Sequence, residues 1–177
     1  MHQTAMLKPN VTGCCVSIID VGTGKNSRRS IIIGWEVVNA SSHHMGEVVY
    51  KIYEMTLAEE SPLRRDLERI LGEPKPLEWY RRFTLKSLLG TYCGLQLRKS
   101  MREAGMNFRE IRQVTSLPES ICQTDLPKPK SQFVLFLCAE PDMECLAHLP
   151  SAIQDRIQQS VEFQWAQREG RSDNEWF

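Results

Sequence analysis

Apolar positions in the first third of the chain occur in short runs that are rich in β-branched and aromatic residues. The first run is Cys14–Asp20, the second is Ser30–Asn39 with three consecutive isoleucines, and the third is Glu47–Leu57. Runs of this kind, bounded by glycine and polar residues, indicate β-strands. Because short polar loops join them, the pattern predicts an antiparallel meander.

The apolar period then changes from that of a strand to that of a helix. Ser61 is placed to cap a helix, Pro62 suits the first helical position, and Gly72 is placed to end it. Thr84 is placed to cap a second helical turn that ends at Gly90. The sequence therefore predicts a helical region after the third strand.

Strand patterns resume after this region, at Thr91–Arg98 and Phe108–Leu117. The predicted order is three strands, a helix and two strands. This is the order of the oligonucleotide-binding (OB) fold, a five-stranded Greek-key barrel. We therefore expect a mainly β protein with helices, in which the helix lies between strands 3 and 4 and a helical extension follows.

The remaining chain predicts that extension. A strand-like run, Phe133–Cys138, and a helix that begins at a capping box of Ser151 and Gln154 are expected to dock on the barrel. The helix is expected to bury one face, formed by Ile153, Ile157, Val161 and Trp165. The expected segments are a flexible lead-in (residues 1–12), the OB domain (13–118), a linker (119–130), the docked segment (131–167) and a mobile acidic and aromatic tail (168–177).

Composition is that of a folded, water-soluble protein, with 41% hydrophobic and 25% charged residues. The net charge of zero conceals an asymmetry: residues 1–139 carry 19 Lys and Arg against 14 Asp and Glu, and residues 140–177 carry 3 against 8. A basic body suits a phosphate backbone, and an acidic end suits basic partners. An ordinary mixed surface is the alternative.

The ligand face of an OB fold involves strands 2 and 3 and the loops that join strands 1–2 and 4–5. Both predicted loops are basic here, and single-strand binders combine such charge with aromatic faces on which bases stack. Tyr50 and Tyr53 have opposite parity on their strand, and Tyr53 is expected in the core. For each aromatic the alternative is core packing, and for the loop arginines it is a solvated turn. The candidate nucleic-acid-binding residues are Lys25, Arg28, Arg29, Trp35, Tyr50, Lys51, Arg98, Lys99, Arg102 and Arg109.

Several segments of the chain resemble a family of small phage and prophage proteins associated with single-stranded DNA binding or replication. The similar segments are Ile18–Thr23, Tyr53–Leu57, Leu63–Glu68, Phe83–Thr84, Leu88–Gly90, Ile111–Pro118 and Leu149–Phe163. The resemblance implies an OB fold and non-enzymatic binding of single-stranded DNA in phage or mobile-element replication or recombination. It rests on scaffold residues, and the stretch Gly72–Arg82 departs from the family pattern. An OB module that binds a replication, recombination or defence protein is the alternative function.

The end of the chain loosely resembles the acidic, phenylalanine-terminated tails of bacterial single-strand-binding proteins. The candidate partner-binding residues are Asp173, Glu175, Trp176 and Phe177, and a frayed end is the alternative. No catalytic residues, metal site or cofactor are predicted, because the histidines and carboxylates form no organised motif. We expect a cytoplasmic protein of the bacterial host cell with no membrane contact, and self-association is left open.

Overall fold

The computed structural model describes residues 11–39, 43–97 and 111–172, with side chains up to residue 169. Its strands are β1 (Val11–Thr23), β2 (Arg29–Val37), β3 (Val48–Glu54), β4 (Tyr92–Leu97), β5 (Ile111–Thr115) and β6 (Val134–Phe136). Its α-helices are α1 (Pro62–Leu71), α2 (Leu77–Arg82), α3 (Met143–His148), α4 (Ser151–Gln158) and α5 (Val161–Ser172). The protein is therefore mixed α/β, and its first five strands follow the predicted order around the helical region.

The six strands form one mostly antiparallel sheet in the order β3-β2-β1-β4-β5, and β6 pairs with β1 in parallel. The long strand β1 makes this branching possible, because its first residues pair with β4 and Ser17–Ile19 pair with β6. The register of β1 against β2 shifts between Cys15 and Ser17, at the point where the partner changes. Among the described residues β3 and β5 are not paired, so the sheet is not closed, and α1 contacts both of these strands.

Both faces of the sheet are buried around β1 and β2. Ile31 and Ile33 pack on the inner face, together with Trp35, Tyr53 and helix α1, while Ile32 packs on the outer face. The outer face is covered by β6 and by α3, α4 and α5. A continuous apolar run is what a strand needs when neither of its faces meets water, which explains the three isoleucines.

Helix α1 begins and ends where the sequence predicts. The Ser61 hydroxyl accepts a hydrogen bond from the Arg64 N–H at 3.3 Å, and Gly72 ends the helix with φ +79°. The turn at Leu85–Leu88 is a 3₁₀ turn, and the side chain of Thr84 does not cap it, so that prediction is wrong. The Thr84 carbonyl instead accepts hydrogen bonds from the Ser87 N–H and hydroxyl.

The C-terminal segment contains two helices where one was predicted from Ser151 onward. Ser151 and Gln154 do not form a capping box: α4 begins after Pro150, without a side-chain cap. The chain breaks at Ser160, whose hydroxyl accepts from the Phe163 N–H, and α5 then starts in a new direction. The predicted apolar face therefore does not continue, and Trp165 is 58% exposed while Phe163 is buried.

Candidate nucleic-acid interface

A row of four residues crosses the outer face of the sheet. Val134 of β6 lies beside Ser17 of β1, Ser17 beside Gly34 of β2, and Gly34 beside Tyr50 of β3. A Cβ atom at Gly34 would overlap the Ser17 hydroxyl and lie 2.8 Å from Cε1 of Tyr50. Glycine at this position therefore lets the tyrosine ring and the hydroxyl approach each other over bare backbone.

Three residues of this row, Ser17, Tyr50 and Val134, form the floor of a groove of about 710 Å³, which we call the sheet-face groove. Residues 131–135 form one wall, and α3 with the corner that follows it forms the other, including Asp142, Glu144 and His148. Tyr50 and Phe133 supply aromatic rings, and Phe133 is 56% exposed. The groove therefore combines aromatic faces with the hydroxyl of Ser17 on β1 and the polar side chains of the α3 wall.

Ser17 is the one buried polar group of the groove that lacks a partner. The residue is 6% exposed, and its Oγ has no hydrogen-bond partner among the described residues. Because nearly all buried polar atoms in proteins are hydrogen-bonded, a hydroxyl in this position is suited to a polar group that enters the groove.

Tyr50 lies half-buried at the opposite side of the floor, with its ring against the apolar cluster under α3 and α4. Burial raises the pKa of its phenol above the ordinary value, so the side chain is neutral at physiological pH. Its placement on the face opposite to Tyr53 follows the predicted parity. Tyr53 is 2% exposed, in the core.

Glu36 holds one wall of the groove in place. The residue is 2% exposed, and its carboxylate accepts hydrogen bonds from the backbone N–H of Lys130 at 2.8 Å and of Ser131 at 2.7 Å. Burial alone would raise the pKa of Glu36, but the hydrogen bonds from Ser131 and Lys130 outweigh it and hold this pKa below its ordinary value. The carboxylate therefore stays charged and fixes the start of the wall.

The first hairpin (residues 22–30) carries the predicted basic residues of the loop between strands 1 and 2. Arg28 pairs with Glu54 at 2.9 Å, and both side chains are well exposed, at 64% and 43%. Arg29 pairs at 2.5 Å with Asp20, whose side chain is 3% exposed. Lys25 is exposed and has no ion-pair partner within the described part of the chain. The three cations therefore differ in how much of their charge is available to a ligand.

Asp20 makes Arg29 a structural residue of the hairpin. Burial alone would raise the pKa of Asp20, but hydrogen bonds from Arg29 and from the Gly22 N–H, together with the Arg29 charge, lower it. The buried thiol of Cys138 lies beside this carboxylate, and burial first and then the Asp20 charge raise its pKa to about 12. The Arg29 guanidinium therefore neutralises a buried negative charge.

Two of the predicted nucleic-acid-binding residues, Trp35 and Lys51, lie on the inner face, which corrects their assignment as residues that contact a ligand on the outer face. Trp35 is 1% exposed and packs in the inner core, where no base reaches its ring. Lys51 shares the parity of Tyr53, and its ammonium group is held at 2.5 Å by the buried Asp66 of α1. The Tyr53 hydroxyl donates to the same carboxylate at 2.8 Å.

The other predicted residues lie outside the described part of the chain. They are Arg98, Lys99, Arg102 and Arg109 of the second basic loop and Asp173, Glu175, Trp176 and Phe177 of the tail. Their assignments stay predictions.

Sequence reasoning missed Ser17, Gly34, Glu36 and Phe133. A signal existed only for Gly34, because a glycine inside a strand pattern marks close approach of another group.

Within the described ranges, no group of three His, Cys, Asp or Glu side chains is placed to hold a metal ion. None of the described helices has both the length and the apolar character needed to cross a bilayer. Comparisons of the chain with protein-family models, with curated proteins and with solved structures give no match.

Proposed function

We propose that the protein binds single-stranded DNA, without catalysing a reaction, through the sheet-face groove, which lies on the outer face of β1 and β3. The observation that carries this proposal is the sheet-face groove, which is lined by the Tyr50 ring and by Ser17, whose hydroxyl has no partner among the described residues. An unstacked base has a flat face for the ring and polar edges for the hydroxyl. The first hairpin, at the end of the same strands, would face the phosphates.

The strand order supports the proposal at the level of the fold. The path β3-β2-β1-β4-β5 is that of an OB barrel opened between its third and fifth strands. We propose that the protein is a partly open OB barrel, with α1 filling the gap between β3 and β5. The resemblance to phage single-strand-binding and replication-associated proteins, and a role in phage or mobile-element replication or recombination, belong to the same proposal.

Replacement of Tyr50 tests the proposed base site. Tyr50→Leu keeps an apolar side chain against the cluster under α3 and α4 but removes the flat ring. Because a stacked base contributes about 1–3 kcal/mol, affinity for an unstructured oligonucleotide should fall about 5- to 150-fold, measured by fluorescence anisotropy. Tyr92→Leu is the matched control, since Tyr92 is half-buried on β4 and does not line the groove. Equal affinities of the two variants would refute the site.

The second candidate function is binding of a replication, recombination or defence protein. It is favoured by a second groove of about 500 Å³, which shares Leu135 of β6 with the sheet-face groove and is also bordered by exposed Met55 and Leu137. Exposed apolar side chains grouped around one groove are typical of protein contacts. The affinity for a protein partner bound there should not depend on salt and should fall in Leu137→Asp. The affinity for DNA should instead fall with salt and stay unchanged in Leu137→Asp.

We also propose that the acidic and aromatic tail binds a recombination or replication protein, because neighbouring aromatic and acidic side chains form a compact recognition unit. Deleting residues 173–177 should abolish capture of such a partner while leaving DNA affinity equal or slightly higher. Loss of DNA binding on deletion would contradict this division of roles.

A further inference from the structure

We propose that a cleft between the first hairpin and the end of α4 binds a backbone phosphate of the single strand, held by Lys25 and Arg156. This inference rests on the proposed function and adds a residue, Arg156, from the C-terminal segment. The cleft has a volume of about 320 Å³. Gly24, Lys25, Asn26 and Ser30 line its hairpin side, and Arg156 and Gln159 line its helix side.

Hydrogen bonds fix the two sides of the cleft relative to each other. The Glu162 carboxylate, in the first turn of α5, accepts from the Thr23 N–H at 2.7 Å and from the Thr23 hydroxyl at 2.6 Å. Gly22 has φ +69°, and a Cβ atom there would lie 2.7 Å from Cβ of Ser160. The hairpin is therefore packed against the junction of α4 and α5, and binding an anion requires no large rearrangement of either side.

The charges in this region leave Lys25 and Arg156 uncompensated. Both are exposed, and neither has an ion-pair partner among the described residues. Of the neighbouring carboxylates, Asp20 is paired with Arg29, and Glu162, which keeps its negative charge, accepts hydrogen bonds from Thr23 and not from either cation. Asp155 precedes Arg156 along α4 but does not line the cleft. Two cations without an ion-pair partner in the described part of the chain therefore lie on opposite sides of one open cleft.

The donor groups of the cleft match a phosphate. Lysine provides a compact charge and arginine a planar fork of N–H donors, and both bind phosphate oxygens strongly. Asn26 Oδ1 accepts from the Arg28 N–H at 3.2 Å, which leaves the Asn26 NH₂ group as a further donor. The Ser30 hydroxyl also lines the cleft. Charged and neutral donors thus surround a space suited to a tetrahedral anion.

The cleft also lies along the path that the proposed function requires. Ser30 and Gly34 are on the same face of β2, four positions apart, which corresponds to about 13 Å. Gly34 is paired with Tyr50 of the groove, and Ile52, two positions along β3, is 38% exposed. A single strand running along β3 would therefore meet the sheet-face groove and the cleft within the roughly 4–16 nucleotides that one OB fold contacts.

The test is the salt dependence of oligonucleotide affinity for the full chain and for the double variant Lys25→Gln/Arg156→Gln. Each phosphate neutralised on a single strand contributes about 0.7 to the slope of log K against log salt. If the two side chains share one phosphate, the double variant should bind more weakly, with a slope shallower by about 0.7. Arg82→Gln/Lys86→Gln is the matched control, because it removes the same charge from exposed residues of the segment that packs on the inner face.

Three results separate the two proposals. A shallower slope in the cleft variant with an unchanged slope in the control supports the phosphate site. Equal slopes in both variants, with DNA binding retained, overturn the cleft and leave the proposed function standing. A wild-type protein that does not bind the oligonucleotide at low salt overturns both proposals. Pyrophosphate, added alone to the wild-type protein in an NMR titration, should shift the amide signals of residues 22–26, and no shift would overturn the cleft.

Discussion

Adjacent arginines of the first hairpin should differ sharply in their contribution to stability. Arg28 and Glu54 are both well exposed, and exposed ion pairs contribute about 0.2–1 kcal/mol. Arg29 neutralises Asp20, whose side chain is 3% exposed. Removing one partner of a fully buried pair costs about 3–5 kcal/mol. Because 45% of the Arg29 side chain is exposed, water screens part of this pair, and we expect about 1–3 kcal/mol for Arg29→Ala.

Thermal unfolding followed by circular dichroism measures this difference. A change of 1 kcal/mol shifts the Tm of a chain of this size by about 2–4 °C. Arg29→Ala should therefore lower Tm by about 2–12 °C, and Arg28→Ala by less than about 4 °C. Asp20→Asn removes the buried charge, so adding Arg29→Ala to it should cost less than Arg29→Ala alone. Equal Tm values for Arg28→Ala and Arg29→Ala, or additive losses in the double variant, would refute the assigned role of Asp20.

Three further predictions concern single groups. Ser17→Ala removes a hydroxyl that has no partner among the described residues, so Tm should stay equal or rise by up to about 4 °C. DNA affinity should fall about 2- to 10-fold in the same variant, and a lower Tm would contradict the unpartnered state of the hydroxyl. The pKa values of Asp20, Glu36 and Glu162 are lowered by folding, so their contribution to stability is present above about pH 4.5 and is lost as pH falls through the lower folded values. Urea unfolding should show a free energy of unfolding that decreases as the pH is lowered, and the decrease should be smaller in Glu36→Gln. A free energy of unfolding that stays constant from about pH 6 to 3 would contradict this prediction. Cys122 is the exposed thiol among the six cysteines, so it should react first with a thiol reagent, and faster modification of any other cysteine would argue against the fold.

The strands and the first helix could be predicted because local patterns determine them. Ile31 and Ile33 face one core and Ile32 the other, which is the pattern of a strand buried on both faces. Ser61 and Gly72 supply local hydrogen-bonding and backbone signals for the ends of α1. The break between α4 and α5 has no comparable signal, because Val161 and Trp165 continue the helical spacing although the chain has turned at Ser160.

The candidate site could be predicted only in part, because distant residues form it. The alternation of side chains along β3 predicts Tyr50 on one face and Tyr53 on the other, and Lys51 lies on the same face as Tyr53. The contact of Glu36 with Lys130 spans 94 positions, so no local pattern reveals it. The Lys25–Arg156 cleft likewise joins a hairpin to a helix that the sequence placed in an extension.

The most direct test of single-strand binding is a fluorescence-anisotropy titration of the full chain with single- and double-stranded oligonucleotides of one sequence at two salt concentrations. The account predicts tighter binding of the single strand, with an affinity that falls steeply as salt increases, because bound phosphates release counterions. Absent binding, salt-insensitive binding or a preference for the duplex would contradict it.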